Sequence, residues 1–146
     1  MKALIQRVSS AFVAVEGNSV AESNSGILIF LGVSETDTPK EAAWLAYKVV
    51  NMRIFNDEKG KMNLSLLDVG GEALVVSQFT LYADVRKGNR PSYIQAARPE
   101  KAKSLYELFV VELEKLLGKT VPKGVFGADM KVSLTNDGPL TILLET

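Results

Sequence analysis

The residues Gly26-Ile27-Leu28-Ile29-Phe30-Leu31-Gly32 form an apolar stretch that has no polar face. Such a stretch suits a strand that other elements cover on both sides, so we expect it in the middle of a sheet. Loose alternation on its N-terminal side predicts strands at Lys2–Val8 and Ala11–Glu16. Gly17-Asn18 provides a turn after them, and Val20–Glu22 follows as the returning strand.

Two helix starts are readable in the chain. Thr38-Pro39-Lys40-Glu41 combines a capping threonine, a proline at the first helical position and a glutamate three residues after the cap. Apolar residues then recur at helical spacing and predict one buried face, made of Ala42, Leu45, Ala46, Val49 and Met52. Arg98-Pro99-Glu100 opens a second helix that ends at Gly118. Its predicted buried stripe consists of Ala102, Leu105, Phe109, Leu113 and Leu116.

The last part of the chain returns to strand patterning. Apolar and polar residues alternate and predict a half-exposed strand at Lys131–Thr135. The run Asn136-Asp137-Gly138-Pro139 consists of residues that favour turns, so we expect a hairpin there. Leu140–Glu145 then closes the fold as a final strand. A chain of 146 residues with this pattern predicts a single α+β domain spanning residues 1–146.

Composition excludes several classes of function. Seventeen basic and seventeen acidic residues cancel, so no overall field attracts nucleic acid or an anionic membrane, and any such contact must be local. The chain has neither cysteine nor histidine, which excludes disulfides, thiolate chemistry and a Ser-His-Asp triad. The N-terminus lacks a signal-peptide core, and the longest apolar run, Ile27–Leu31, is too short to span a bilayer. We therefore expect a soluble cytoplasmic protein.

The stretch Val75–Ala83 reads V-V-S-Q-F-T-L-Y-A, and we expect the chemistry there. Its first half predicts a buried strand, into which Ser77, Gln78 and Thr80 bring polar side chains. An unsatisfied buried hydroxyl or amide costs about 1–3 kcal/mol, so neighbouring backbone groups or a ligand must satisfy them. On an ideal strand Ser77 and Phe79 share one face, while Gln78 and Thr80 share the other.

Three interpretations of this stretch are open. A strand that bends or ends here offers free backbone N–H groups that can hold an oxyanion, with Phe79 stacked on a planar group such as a base. Alternatively, Thr80 or Ser77 is a nucleophile, although a hydroxyl needs a base and the chain has no histidine. In the third interpretation the stretch is a structural strand whose hydroxyls bond to neighbouring backbone.

A basic loop follows this stretch. Asp84–Ser92 contains three cations and a glycine directly beyond the candidate site. It is either a solvated loop or a local patch that contacts phosphate. The polar turn Asn56–Gly60 also suggests a calcium loop, but the position where an EF-hand needs its glutamate is Leu67.

Several motifs, in order along nearly the whole chain, resemble the D-aminoacyl-tRNA deacylase family. Each piece alone is weakly specific, and together they are highly specific. They are S-Q-F-T-L at Ser77–Leu81, R-K-G-N-R-P-S at Arg86–Ser92, F-G-A-D-M at Phe126–Met130 and N-D-G-P-L-T at Asn136–Thr141. The departures are Leu140, where the family pattern suggests valine, and Tyr93, where phenylalanine is common.

The resemblance implies a homodimer that hydrolyses the ester joining a D-amino acid, or glycine mischarged on tRNA(Ala), to the terminal adenosine of tRNA. L-Aminoacyl-tRNA would be spared, so the activity would be proofreading in the cytoplasm. The fold would be α+β, with a curved, barrel-like mixed β-sheet and two principal α-helices. No metal or organic cofactor is implied, and the partners would be the tRNA 3′ end and a second copy, with neither membrane nor DNA.

The same resemblance implies roles for individual residues. Ser77, Gln78, Phe79 and Thr80 would surround the aminoacyl group and the terminal adenosine, with the backbone N–H of Phe79 holding the oxyanion. Further substrate-binding residues would be Phe126, Met130 and Asn136. Chiral selection would come from a cis Gly138-Pro139 pair that enters the partner's pocket and is steadied by Arg7. Either the substrate 2′-hydroxyl or Thr80 would drive hydrolysis. The competing classes are a non-catalytic module that holds nucleic-acid ends and a purely structural dimer.

Overall fold

A computed structural model describes all 146 residues. It has two α-helices and seven strands, followed here in chain order: β1 Lys2–Val15, β2 Asn18–Ser23, β3 Gly26–Gly32, α1 Pro39–Asn51, β4 Phe55–Asn56, β5 Met62–Leu64, β6 Glu72–Ser77, α2 Pro99–Leu117 and β7 Met130–Glu145. The predicted strands Lys2–Val8 and Ala11–Glu16 are one continuous strand, β1. No helix is long and apolar enough to cross a membrane.

The apolar stretch β3 is an interior strand, as predicted. It pairs antiparallel with β1 on one side and parallel with β6 on the other. The sheet order is β2-β1-β3-β6, and β7 pairs with β1. This mixed sheet curls into a half-barrel in a single α+β domain, which confirms the predicted fold class.

Both helices begin where their sequences predict, and α2 also ends at the predicted Gly118. Thr38 caps α1 with a complete capping box, in which the Thr38 hydroxyl accepts from the Lys40 N–H and the Glu41 carboxylate accepts from the Thr38 N–H. Gly118 ends α2 in the left-handed conformation, at φ 67°. The two helices pack against each other and against one face of the sheet, where the main core forms. Leu116 was predicted to be buried but is exposed, because the helix turns it away from that core.

The predicted hairpin at Asn136–Pro139 is wrong. The chain does not reverse there, because β7 runs through it and pairs with β1 in one direction throughout. Gln6 pairs with Thr141 and Val8 pairs with Asn136, so the single residue Arg7 of β1 opposes four residues of β7, and three extra residues bulge outward. Turn-favouring residues can interrupt a ladder without ending it when the flanking segments keep the same neighbour.

The opposite face of the sheet carries a second, smaller apolar cluster. Val8, Leu28, Leu74 and Val76 are buried in it. Its rim consists of partly buried side chains, namely Phe30, Met130, Val132 and Leu134. No side chain in this cluster or at its rim comes from either α-helix.

Candidate active site

The stretch that follows Val76 leaves the sheet after one residue. Strand β6 ends at Ser77, Gln78 adopts φ −147° and ψ 81°, and the residues from Phe79 form one turn of 3-10 helix. The alternation of faces that an ideal strand would give therefore stops at Ser77. The N–H groups of Phe79 and Thr80 have no acceptor in the chain, because the first residues of a helical turn have no carbonyl behind them. Of the arrangements left open for Val75–Ala83, the structure has the strand that ends within this stretch.

Glycine is required where β3 meets this turn. A Cβ added at Gly32 would lie 3.1 Å from the carbonyl oxygen of Gln78 and 3.2 Å from the Cβ of Leu81. The Gln78 N–H donates to the Leu31 carbonyl at 2.8 Å, which ties the turn to the end of β3. The position of the free N–H groups is thus set by close packing against the central strand.

A mostly apolar cavity of about 630 Å³ opens at this turn. It lies at the C-terminal ends of β3 and β6 and is closed by the start of α2 and by the segment before β7. Among the predicted site residues, the structure brings five to its lining: Ser77, Gln78, Phe79, Phe126 and Met130. The ring of Phe79 is 56% exposed and forms part of the rim. A cavity of this volume is in the range of small-molecule sites.

The hydroxyl groups at the cavity have no base beside them. The Gln78 side-chain amide donates to Thr80 Oγ1, and an amide N–H cannot accept a proton. Ser77 Oγ has no hydrogen-bond partner in the chain and is half-buried at the cavity wall. No group of three or more Asp and Glu side chains lies close enough together to hold a metal ion. At this turn the groups that can act on a bound ester are hydroxyls and backbone N–H donors, and the one carboxylate of the lining, Asp129, is paired with Lys131.

Two tyrosines of the cavity were not predicted. The buried Tyr106 lines it, donates its hydroxyl to the Val75 carbonyl at 3.0 Å and holds its ring 5.8 Å from that of Phe126. Burial raises the pKa of the Tyr106 phenol. Tyr93 packs edge-to-face on Phe79 with ring centroids 5.0 Å apart. Helical spacing could have found Tyr106, which lies four residues after Ala102, but no local signal pairs Tyr93 with Phe79.

Thr80 lies in the 3-10 turn after Phe79 and does not line the cavity. The other four predicted site residues form a second group at the β7 bulge. Asn136 donates through Nδ2 to the Arg7 carbonyl at 2.8 Å and to the Leu140 carbonyl at 2.9 Å, which closes the bulge at its base. Arg7 is 9% exposed and donates to the Asp137 carbonyl at 3.2 Å. The Gly138-Pro139 peptide bond is cis, and both residues are exposed.

The two groups lie apart within one chain. Arg7 pairs with Ile27, and Ile27 pairs with Ala73, which lies four residues before Ser77 on β6. At about 3.3 Å per residue, that register alone separates them by about 13 Å along the strands. None of the bulge-group residues Arg7, Asn136, Gly138 and Pro139 lines the cavity of its own chain.

The fold and cavity define a single-domain α+β protein with free backbone N–H donors beside a mostly apolar cavity. The family described as D-Tyr-tRNA(Tyr) deacylase matches residues 4–145, and the chain belongs to this family of ester hydrolases. D-Aminoacyl-tRNA deacylase of Chromobacterium violaceum is 58% identical over all of this chain and 97% of its own length. The enzyme of the same name from Thermosipho melanesiensis is 54% identical with the same coverage.

Two solved structures agree with this fold. A structure named c-Myc DNA Unwinding Element Binding Protein has a TM-score of 0.95 at 42% identity and covers 100% of this chain and 99% of its own. A structure described as a probable eukaryotic D-amino acid tRNA deacylase has a TM-score of 0.84 at 17% identity, with 98% of this chain and 97% of its own covered. The second likeness supports the fold alone.

Proposed function

We propose that this chain hydrolyses the ester of D-aminoacyl-tRNA, and of glycyl-tRNA(Ala), to release the amino acid and tRNA. The observation that carries the proposal is the pair of free N–H groups on Phe79 and Thr80, which lie beside the half-buried Ser77 hydroxyl. Family membership supports the D-aminoacyl-tRNA ester as the substrate. The partner is then the 3′ end of tRNA, and the place of action is the cytoplasm, where translation is proofread.

Hydrolysis at this site needs positioning more than a protein base. Water attacks the carbonyl carbon, the bond to the ribose 3′-oxygen breaks, and that oxygen takes a proton. Negative charge develops on the carbonyl oxygen, where the N–H groups of Phe79 and Thr80 act as donors. The Thr80 hydroxyl lacks a base, so the neighbouring ribose 2′-hydroxyl is the better group to assist the proton transfer.

The terminal adenosine occupies the apolar part of the cavity in this proposal. Phe79 stacks at the rim, as exposed aromatic rings do with bases. Phe126 and Met130 line the adenine side. Gly124 keeps room for Met130, since a Cβ at Gly124 would lie 2.5 Å from the Met130 Sδ atom.

We further propose that the working form is a homodimer in which each chain places Gly138-Pro139 in the cavity of its partner. The bulge is exposed, and none of its residues lines the cavity of its own chain. The sheet face opposite the helices carries an apolar cluster that a second copy would cover. In the partner's cavity the Gly138 and Pro139 carbonyls would leave no room for an L side chain, so an L substrate is excluded by collision.

A binding role on DNA is the second candidate, suggested by the name of the 42% identical structure. A net charge of zero gives this chain no general attraction for duplex DNA. Incubation of the purified chain with D-tyrosyl-tRNA separates the candidates. Release of free D-tyrosine above the spontaneous rate supports the hydrolase, whereas binding of the tRNA end without turnover would leave only a binding module.

A further inference from the structure

The loop between Asp84 and Ser92 is closed at its base by main-chain hydrogen bonds. The Asp84 N–H donates to the Ser92 carbonyl at 2.8 Å, and the Ser92 N–H donates back to the Asp84 carbonyl at 2.9 Å. The segment between these residues therefore projects as a defined loop and not as a loose connection.

Only some of its cations are free. Arg86 donates to the Asp84 carboxylate from Nε at 2.9 Å and from Nη2 at 2.6 Å. The Arg86 guanidinium holds the pKa of the Asp84 carboxyl down to about 2, so the pair stays ionised at neutral pH. Lys87 and Arg90 are exposed and take part in none of the six ion pairs of the chain. Arg86 thus braces the loop, and two positive charges remain for another molecule.

The base of this loop is part of the cavity rim. Tyr93, the residue after Ser92, holds its ring 5.0 Å from that of Phe79. Arg90 precedes Ser92 by two residues, which span at most about 7 Å. At the cavity wall near β7, the one carboxylate, Asp129, is paired with Lys131. The rim beside Phe79 and Tyr93 is therefore its electropositive side.

We propose that Lys87 and Arg90 bind the backbone phosphates of the nucleotides that precede the terminal adenosine of an RNA 3′ end. This inference rests on the proposed function, because that function places the terminal nucleoside in the cavity. The RNA strand must leave the cavity at its rim. Its phosphates carry negative charge, which can pair with Lys87 and Arg90. The loop supplies affinity for the polynucleotide, while Phe79 and the cavity hold the nucleoside.

The test compares two substrates with the same ester: D-tyrosyl-tRNA, which has the upstream phosphates, and D-tyrosyl-adenosine, which lacks them. The variant is Lys87→Ala/Arg90→Ala. The control is Lys40→Ala/Lys48→Ala, which removes the same charge from α1, a helix that does not line the cavity. The measured quantity is the ratio of kcat/KM for the tRNA to kcat/KM for the adenosine ester.

The affinity for a single strand falls with salt, and the slope of log K against log salt concentration is less steep by about 1.4 when two phosphate contacts are lost. Between 50 and 200 mM salt, the wild-type ratio should therefore fall about sevenfold more than the ratio of the loop variant, with KM carrying the change. The control should follow the wild type. An unchanged ratio in the loop variant, or an equal loss in the control, overturns the proposal. Failure of the wild type to hydrolyse either ester would instead refute the proposed function.

Discussion

The guanidinium of Arg7 crosses from β1 to the β7 bulge, where Nε lies 3.2 Å from the carbonyl oxygen of Asp137 and 3.0 Å from its carboxylate. Nη1 of the same side chain donates to the Ile54 carbonyl, and Nη2 lies 3.1 Å from the Cβ position of Gly138. One buried cation thus fixes the bulge against the strand and against the segment before β4.

Replacing Arg7 should weaken chiral selection. Arg7→Lys keeps the charge, but one ammonium cannot span both carbonyls as the planar fork does. We expect the ratio of D to L hydrolysis rates to fall at least about tenfold, which corresponds to about 1.4 kcal/mol. Asp137→Asn is the matched control, because it keeps the main-chain acceptor and changes only an exposed carboxylate. An unaltered ratio in Arg7→Lys would show that Arg7 does not position the bulge.

Thr80 is expected to be dispensable as a nucleophile. Thr80→Ala should retain deacylation of D-tyrosyl-tRNA within about fivefold, whereas the same ester on tRNA ending in 2′-deoxyadenosine should react about 100-fold more slowly. Thr80→Ser is the control, because it preserves the hydroxyl. If Thr80→Ala is inactive while Thr80→Ser and the deoxy substrate react normally, the nucleophile is Thr80.

Insertion across subunits predicts recovery in mixed dimers. Phe79→Ala carries a damaged cavity and an intact bulge, and Pro139→Ala carries the reverse. Equal mixing of the two variants after unfolding and refolding should give one intact site in half of the dimers, or about a quarter of wild-type D-selective activity. Here D-selective activity means the rate on the D substrate minus the rate on the L substrate. If this difference in the mixture is no higher than the mean of the separate variants, insertion from the partner is contradicted.

Tyr106 should make stability fall at alkaline pH. The folded state raises the pKa of its phenol, so the unfolded chain loses this proton first, near pH 10. The contribution is present below pH 10 and decreases above it by up to about 1.4 kcal/mol per pH unit. Urea unfolding between pH 8 and 11.5 should show a shallower decline for Tyr106→Phe, with a loss of about 1 kcal/mol at pH 8.

Tyr47→Phe provides the control for this measurement, since Tyr47 is 55% exposed and its hydroxyl makes no hydrogen bond in the chain. Its unfolding curve should follow that of the wild type within about 0.5 kcal/mol. An alkaline decline that is equally steep in wild type and Tyr106→Phe would show that Tyr106 is not its source.

The sequence predicted those elements that depend on interactions between neighbouring residues. A few neighbouring residues are enough to predict the helix start at Thr38–Glu41 and the interior strand β3. Both predictions are confirmed. Polar side chains in an apolar run marked Ser77, Gln78 and Thr80 as candidates, and the family resemblance added the others. The structure places most of these residues in a cavity group or a bulge group. Helical spacing also predicted the buried residues of α2, except Leu116, which the helix turns away from the core.

Two features depended on tertiary contacts that no local pattern contains. Asn136–Pro139 has the composition of a hairpin turn, but the 14-residue strand β1 pairs with both flanking segments and keeps them in one strand. The residues after Ser77 look like a continuing strand. They form a 3-10 turn that packs closely on Gly32 at the end of β3, where an added Cβ would lie only 3.1 Å from the Gln78 carbonyl oxygen.

The most direct test of the account measures hydrolysis of D-tyrosyl-tRNA and L-tyrosyl-tRNA prepared on the same tRNA, with the spontaneous rate subtracted from each. The account predicts rapid release of D-tyrosine and no enzyme-dependent release of L-tyrosine. Equal release of both enantiomers, or release of neither, would contradict it.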